Sequence, residues 1–468
     1  MTLLSIRNPR TGQLDFQLHC MDAAQVADVA ATLKQQQSRW FTIGLDKRIA
    51  ELRMFAEALA QQKQAIITEL CQDTGRYQES VLELDVTISA IERWCQQAPQ
   101  LLNINATTAG QIPFLQISQG YLPYPLVGVI SPWNFPLLLS LVDAIPALLA
   151  GSAVILKPSE VTSRFSQPLA KALQQCQQLS QVFRIVTGDG KTGAAVCDVA
   201  DTICFTGSVK TGRLVAEHCA KRFIPAFLEL GGKDPAIVCD DANIETAAKA
   251  ICWGSMVNAG QSCMSIERAY VHADIYDAFV QRLSQLTAGL QHNYPDIKQG
   301  QIGPIIAASQ VELVKHQLSD AIAKGANCIT GGEVVNLGGG DYCQPTILTN
   351  VTMDMDILTK ETFAATLAVV KVASNDQAIA LANDSDYGLS AAVFSQDSAK
   401  AQAIAEQLQA GAISINDASL TALVHEAEKQ SFKLSGLGGS RMGAESIRRF
   451  IRKKAYIENT GVASPWWF

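Results

Sequence analysis

The sequence predicts an α/β protein with a doubly wound unit, a second α/β unit and a small β arm. Between residues 126 and 229, short β-branched runs alternate with helical segments, the pattern of a parallel sheet with crossover helices. The alternation resumes from Gly231 to about Phe432, so a second α/β unit follows. The chain has 468 residues, 48% of them apolar, which is enough material for more than one buried core.

From about Ala23 to Gln100, Ala, Leu and Gln recur at helical spacing with few turn signals. Residues 105–124 change to Thr, Gly, Pro and Gln around short apolar stretches, which predicts a β-hairpin extended as an arm. Strands are expected at 126–131, 153–156, 183–186 and 202–205, with helices at 137–150, 163–178 and 192–199. From Arg448 the tail reads as a basic helix, then a short strand at 455–458, then Trp466-Trp467-Phe468. The expected division is 1–104 with 125–230, then 231–447, with 105–124 and 448–468 as arm and tail. The apolar stretch 130–156 does not read as a membrane span, because Pro132, Pro136 and Pro146 interrupt it, Asp143 lies inside it and Gly151 breaks it.

Charged residues make up 17% of the chain and the net charge is -7, with no basic stripe. Nucleic acid is excluded as the expected partner, and an anionic membrane surface is disfavoured. Residues 1–10 lack the apolar core of a secretory signal, and twelve cysteines without a CxxC pair read as reduced thiols, so cytoplasm is the expected compartment. The six histidines show no ligand spacing, and no metal site is expected.

Two segments carry the chemistry. Cys263 lies in Asn258-Ala-Gly-Gln-Ser-Cys-Met-Ser, a small polar loop that presents a thiol as a nucleophile. Glu229 lies in Phe227-Leu-Glu-Leu-Gly-Gly-Lys-Asp-Pro, where burial between leucines would raise its pKa and make it a better base near neutral pH. The bland alternatives are an inert thiol, and a structural ion pair between Glu229 and Lys433 or another cation. Both segments resemble, nearly letter for letter, the two active-site signatures of the aldehyde dehydrogenase family. The resemblance extends through Ser131-Pro-Trp-Asn134-Phe-Pro136, Glu361-Thr-Phe363, Tyr342-Cys-Gln-Pro345-Thr346, Ser414-Ile-Asn416 and Lys433-Leu-Ser435-Gly436-Leu-Gly438, nearly the whole chain.

The resemblance implies a Rossmann-like cofactor domain, a catalytic domain and an oligomerisation arm, assembled as a homodimer or homotetramer. It further implies NAD(P)-dependent oxidation of a small-molecule aldehyde to a carboxylic acid. Cys263 would form a thiohemiacetal whose oxyanion is held by Asn134 and the Cys263 backbone N–H. Hydride loss to the nicotinamide would leave a thioester, hydrolysed by water that Glu229 activates. A free thiol titrates at about 8.5, so a lowered Cys263 pKa is expected. On residue chemistry alone, Asn134 could equally cap the helix that follows it. The rival readings are a relative that passes the thioester to coenzyme A, against which Glu229 argues, and a non-catalytic binding protein on the same fold.

Gly188-Asp-Gly190-Lys-Thr-Gly193 is a formal GxGxxG after a strand, readable as a dinucleotide fingerprint or as a tight turn. Phe205-Thr-Gly207-Ser208-Val-Lys-Thr-Gly212 also leads from strand to helix, with free amides and the Ser208 hydroxyl for a phosphate oxygen. The resemblance gives the pyrophosphate to the second segment and leaves Gly190 bordering the adenosine. Lys157-Pro-Ser159-Glu160 could bind a ribose diol, and Glu160 should repel a 2′-phosphate, favouring NAD over NADP; a plain helix start explains the same residues. By resemblance Trp133 and Leu230 join the cofactor set, and Glu361 and Phe363 hold the nicotinamide side, although Ala364-Ala365 replaces the usual Gly-Pro. Phe135, Leu139, Val142, Ser262, Met264 and Phe432 are the expected substrate lining, mostly apolar, which suits an aliphatic or aromatic aldehyde. Residues 417–431 depart from the family: Pro-Phe-Gly-Gly is absent and His425, Glu426, Glu428 and Lys429 stand there, either selecting a charged aldehyde or simply solvated.

Overall fold

The computed structural model describes residues 2–104, 106–112 and 114–461, so Trp466-Trp467-Phe468 lies outside the described residues. A six-stranded sheet runs in the order Gly436–Leu437, Ala226–Glu229, Thr202–Thr206, Leu126–Ile130, Ala153–Lys157, Phe183–Ile185. Its neighbours are parallel except Gly436–Leu437, which pairs antiparallel with Ala226–Glu229. Leu126–Ile130, Ala153–Lys157 and Thr202–Thr206 are buried at every residue, because a parallel sheet is covered on both faces. That is why these strands read as continuous apolar runs.

A seven-stranded sheet follows: Asn327–Thr330, Thr346–Thr349, Thr366–Val372, Ile266–His272, Asp234–Val238, Ser390–Phe394, Ala412–Ile415. Only its edge strand Asn327–Thr330 is antiparallel. Glu229 ends a strand of the first sheet and Asp234 opens one of the second, so the short connection between them joins the sheets.

Differences from expectation lie mainly at the two ends. A hairpin of Thr2–Arg7 with Leu14–Cys20 was not expected from the sequence; it docks on the first unit through Met21 N to Thr187 O at 2.9 Å. The predicted 163–178 helix is shorter, a 3-10 turn at Glu160–Thr162 followed by Ser166–Gln174. The expected basic helix from Arg448 is not there. A helix Gly443–Arg448 ends at that residue, and Arg452, Lys453 and Lys454 lie on the strand Ile451–Asn459. That strand pairs along its whole length with Leu115–Pro123, and Thr108–Ala109 completes a three-stranded sheet from the arm. The cross-strand ladder decides the conformation of this exposed segment over its composition.

Helix Pro136–Ala150 is the centre of the first core and carries Asp143, fully buried. Arg441 binds both Asp143 oxygens, at 3.2 and 2.8 Å, and Arg449 binds the same carboxylate from the end of the last helix. Arg441 also donates to Thr206, beside Glu229 in the sheet register. Burial alone would raise the Asp143 carboxyl, but the two guanidiniums outweigh it and hold it below the usual carboxylate range. Its contribution is therefore complete above the ordinary carboxylate range and is lost as pH falls through the lowered value. No helix among the described residues is long and apolar enough to cross a membrane. Asp143→Asn is expected to cost about 3–5 kcal/mol, because it leaves two buried cations without their anion; denaturant unfolding at neutral pH measures it.

Candidate functional site

Three loops converge behind Glu229, and two glycines let them. A Cβ on Gly231 would lie 2.6 Å from the Glu361 carboxylate, and one on Gly232 would lie 2.5 Å from the Cys263 carbonyl oxygen. The Gly232 N–H donates to Glu361 Oε1 at 3.1 Å. The Leu-Gly-Gly run after Glu229 thus passes between the Cys263 loop and the Glu361 loop where no side chain fits.

The Cys263 loop is prepared by three successive left-handed residues, Asn258, Ala259 and Gly260, with φ of 55°, 52° and 70°. At Ala259 this conformation costs about 1 kcal/mol. Asn258 Nδ2 offsets it, bonding Asn134 O at 3.2 Å and Gln261 O at 2.8 Å. Gln261 in turn donates to Pro304 O at 3.1 Å and accepts from Ile306 N at 2.9 Å. Asn134 Nδ2 reaches across to Gln261 O at 3.1 Å, while the helix beginning at Pro136 has no side-chain cap, so the helix-cap alternative for Asn134 is overturned. Arg76, which sequence reasoning missed, donates to the Asn134 carbonyl and lies 4.6 Å from the Phe135 ring centre.

Cys263, Glu229 and Asn134 line one cavity of about 280 Å³. Trp133, Gly207, Ser208, Leu230, Glu361 and Phe363 line the same cavity, together with Gln310 and Leu313, which carry no signal in the sequence beyond a helix face. The Trp133 and Phe363 rings meet edge-on, 5.2 Å between centres. Phe363 has φ 57°, and its N–H donates to Glu267 Oε1 at 2.9 Å; Lys233 holds Glu267 from the other side. This clamp fixes the Glu361-Thr-Phe363 turn with Ala364 and Ala365 buried behind it. Gly212 lets helix Val209–Arg222 sit against Leu230, where a Cβ would come within 2.6 Å of the leucine side chain.

Gly190, Lys157, Ser159 and Glu160 do not line this cavity. In the Gly188–Gly193 loop, Asp189 caps the helix by accepting from Lys191 N at 2.9 Å and Thr192 N at 3.4 Å, so its first amides are already engaged. Ser208 caps its own helix through Thr211 N at 3.3 Å, but Gly207 and Ser208 open on the cavity. Lys157 Nζ pairs with Glu160 Oε2 at 2.7 Å, and Ser159 Oγ accepts from Val161 N at 3.3 Å, the local geometry of a helix start.

Glu229 is half-buried, not buried as its Leu-Glu-Leu setting suggested, although Leu228 and Leu230 are. It accepts from Ser431 Oγ at 3.2 Å. Lys433 is not its partner; that ammonium donates to the Asn383 and Ser385 carbonyls at 2.6 and 2.8 Å. Lys429 is the cation that faces Glu229 and Cys263. The expected lowering at Cys263 is not found: burial pushes the thiol up to about 12, Lys429 opposes, and Asp234, Glu229 and Glu361 add to the rise. Burial likewise pushes Glu361 up to about 8, with Glu267 adding. Among the described residues, no group of three or more His, Cys, Asp or Glu could hold a metal.

On the substrate side, helix Pro136–Ala150 is buried except at Leu138, Leu139 and Val142, and Phe135 before it is half-buried. Ser262 Oγ accepts from Met264 N at 3.3 Å, and Met264 Sδ faces Thr421 Oγ1 at 3.9 Å and Lys429 Nζ at 3.7 Å. Phe432 is 45% exposed on a short strand paired with Tyr387–Gly388, and it does not line the Cys263 cavity.

Residues 2–456 match the model of the aldehyde dehydrogenase family. The chain is 34% identical over 437 residues to a Mycolicibacterium smegmatis protein provisionally named succinate-semialdehyde dehydrogenase [NADP(+)], covering 92% of this chain and 84% of that one. It superposes with TM-score 0.98 and 48% identity on an Anabaena variabilis protein provisionally named aldehyde dehydrogenase, over 100% of both chains. A betaine aldehyde dehydrogenase of Staphylococcus aureus, solved with NAD+, superposes with TM-score 0.91 and 27% identity over 100% of this chain and 95% of its own.

With its thiol near 12, the cofactor-free chain should react with iodoacetamide at Cys263 about tenfold faster per pH unit through pH 7–9, with no plateau. Peptide-resolved mass spectrometry checks this; a plateau below pH 8 would show a thiol already activated.

Proposed function

The chain belongs to the aldehyde dehydrogenase family, and on that premise we propose that it oxidises an aldehyde to the carboxylic acid with NAD or NADP, using Cys263, Glu229 and Asn134. The observation that carries the reading is the single cavity that holds these three residues with Trp133, Glu361 and Phe363. A nicotinamide dinucleotide suits that cavity and, when bound, supplies the hydride acceptor. Gly207 and Ser208 would face its pyrophosphate, Glu361 and Phe363 its nicotinamide end, and the Lys157–Glu160 pair an adenosine ribose. Relatives named for NADP(+) and solved with NAD+ support use of either cofactor.

In this reading Cys263 loses its proton to solvent and adds as the thiolate to the aldehyde carbon, and the carbonyl π pair becomes the oxyanion of the thiohemiacetal. Asn134 Nδ2 turns one N–H from Gln261 O towards the new oxyanion, and the Cys263 N–H supplies the second donor. Loss of hydride leaves a thioester on Cys263. Glu229, half-buried at the strand end and steadied by Ser431, takes a proton from the water that hydrolyses it. All twelve cysteines are unpaired, which fits a reducing cytoplasm. The three-stranded sheet of arm and tail exposes Leu122 and Tyr456 on one face, and we assign that face to assembly as a homodimer or homotetramer.

Aldehyde turnover with NAD or NADP, without coenzyme A, should vanish in Cys263→Ala. In Glu229→Gln it should stop after one equivalent of reduced cofactor per site. Asn134→Ala should lower kcat by about 100- to 1000-fold. Turnover that requires coenzyme A would remove Glu229 from the base role. For assembly, Tyr456→Glu should reduce the mass measured by light scattering, and an unchanged mass would exclude this face.

A further inference from the structure

Resting on the dehydrogenase reading, we propose that Lys429 is a specificity residue that anchors a carboxylate at the far end of the substrate, so that the preferred aldehydes are ω-oxo acids. Lys429 lies in the 417–431 loop, where the chain departs from the family it resembles. The loop around it is fastened. The Lys429 N–H donates to Ser440 Oγ at 2.9 Å, and Ser440 donates to Met442 O at 2.9 Å. The Gly443 N–H donates to His425 O at 2.8 Å, where a Cβ on that glycine would strike the Glu428 side chain.

The side chain is half-buried and points inward. Its Nζ stands 3.7 Å from Sδ of Met264, the residue after Cys263, and among the described residues no carboxylate lies within ion-pair distance of it. A thioether is a weak acceptor and does not satisfy an ammonium taken out of water. The nearby carboxylates are turned elsewhere. Glu426 accepts from His425 N at 3.0 Å, Glu428 from Glu445 N at 2.9 Å, and Glu229 from Ser431 at 3.2 Å. Burial lowers the Lys429 pKa, and Glu229, Cys263 and Asp234 oppose that shift.

A second cation sits on the same side. Arg93, half-buried on helix Gln78–Leu101, faces His425 together with Lys429. Two cations thus stand near His425, and Lys429 reaches Met264 beside Cys263, while the half-buried Phe135 and Leu139 are the apolar wall that the resemblance implies. An aldehyde with a methylene chain and a terminal carboxylate matches that division: methylenes on the apolar wall, carboxylate on Lys429.

The test compares 4-oxobutanoate with butanal in wild type, Lys429→Met and Lys429→Arg, alongside iodoacetamide labelling of Cys263 with and without succinate. The kcat/KM ratio of acid to neutral aldehyde should favour the acid in wild type and fall at least about tenfold in Lys429→Met, chiefly through KM of the acid. Lys429→Arg should restore most of the ratio. Succinate should protect Cys263 in wild type and not in Lys429→Met. A ratio unchanged by Lys429→Met overturns the proposal. So does an equal loss on both aldehydes with Cys263 labelling moved to higher pH, which would make Lys429 a support for the thiol. If no aldehyde is oxidised, the dehydrogenase reading fails by itself; succinate protection that depends on Lys429 would still uphold the anchor, and its absence would overturn it.

Discussion

The packing of Gly231 and Gly232 is the constraint on which the candidate site depends. Glu229 is the last residue of a strand in one sheet, and Cys263 precedes a strand of the other. Neither sheet contains the site alone. The two glycines bring the Glu229 turn within contact of the Cys263 carbonyl on one side and the Glu361 carboxylate on the other. Any side chain there would hold the loops apart by at least a methyl group, and the cavity would open. The left-handed run at Asn258, Ala259 and Gly260 answers the same need from the opposite side, and Gly260 presses on the Ala364 carbonyl.

A common electrostatic rule holds for the cavity and the groups around it. Burial pushes Cys263 and Glu361 up and Lys429 down, each towards its neutral form. Asp234, bonded to Ser390, is pushed up to about 7 for the same reason. Asp143 lies equally deep and goes the other way, because two guanidiniums meet it directly. The contrast separates a structural ion cluster, complete in itself, from a site whose charges lack partners within it.

Much of this was legible in the sequence where chemistry and geometry coincide. The parallel sheets announced themselves through uniformly apolar strands, while Cys263, Glu229 and Asn134 stood out through resemblance, and the structure brings the three to one cavity. Three kinds of feature were not legible. The N-terminal hairpin and the strand Ile451–Asn459 depend on partners distant in the chain, so local composition misled at Arg448. Arg76 lies in the turn between helices Lys63–Thr74 and Gln78–Leu101, within a stretch that reads as helical, and Gln310 lies on helix Ala308–Ala323, and nothing in the pattern says which way each side chain points. For Glu229 the leucines on either side suggested deep burial, but strand alternation turns neighbours to opposite faces and leaves the carboxylate half-open.

The strand Gly436–Leu437 and the residues Ile447, Phe450 and Ile451 belong to the first sheet and its core, although the entire second sheet is encoded before them. During synthesis the first unit must therefore wait, with one sheet edge unpaired and part of its core uncovered, until the second unit has been made. Contacts of such long sequence separation form late and slowly. An open edge beside buried strands invites pairing with other chains in the interval. A nascent chain of this protein is accordingly expected to depend on chaperone shielding for longer than its individual α/β units would suggest.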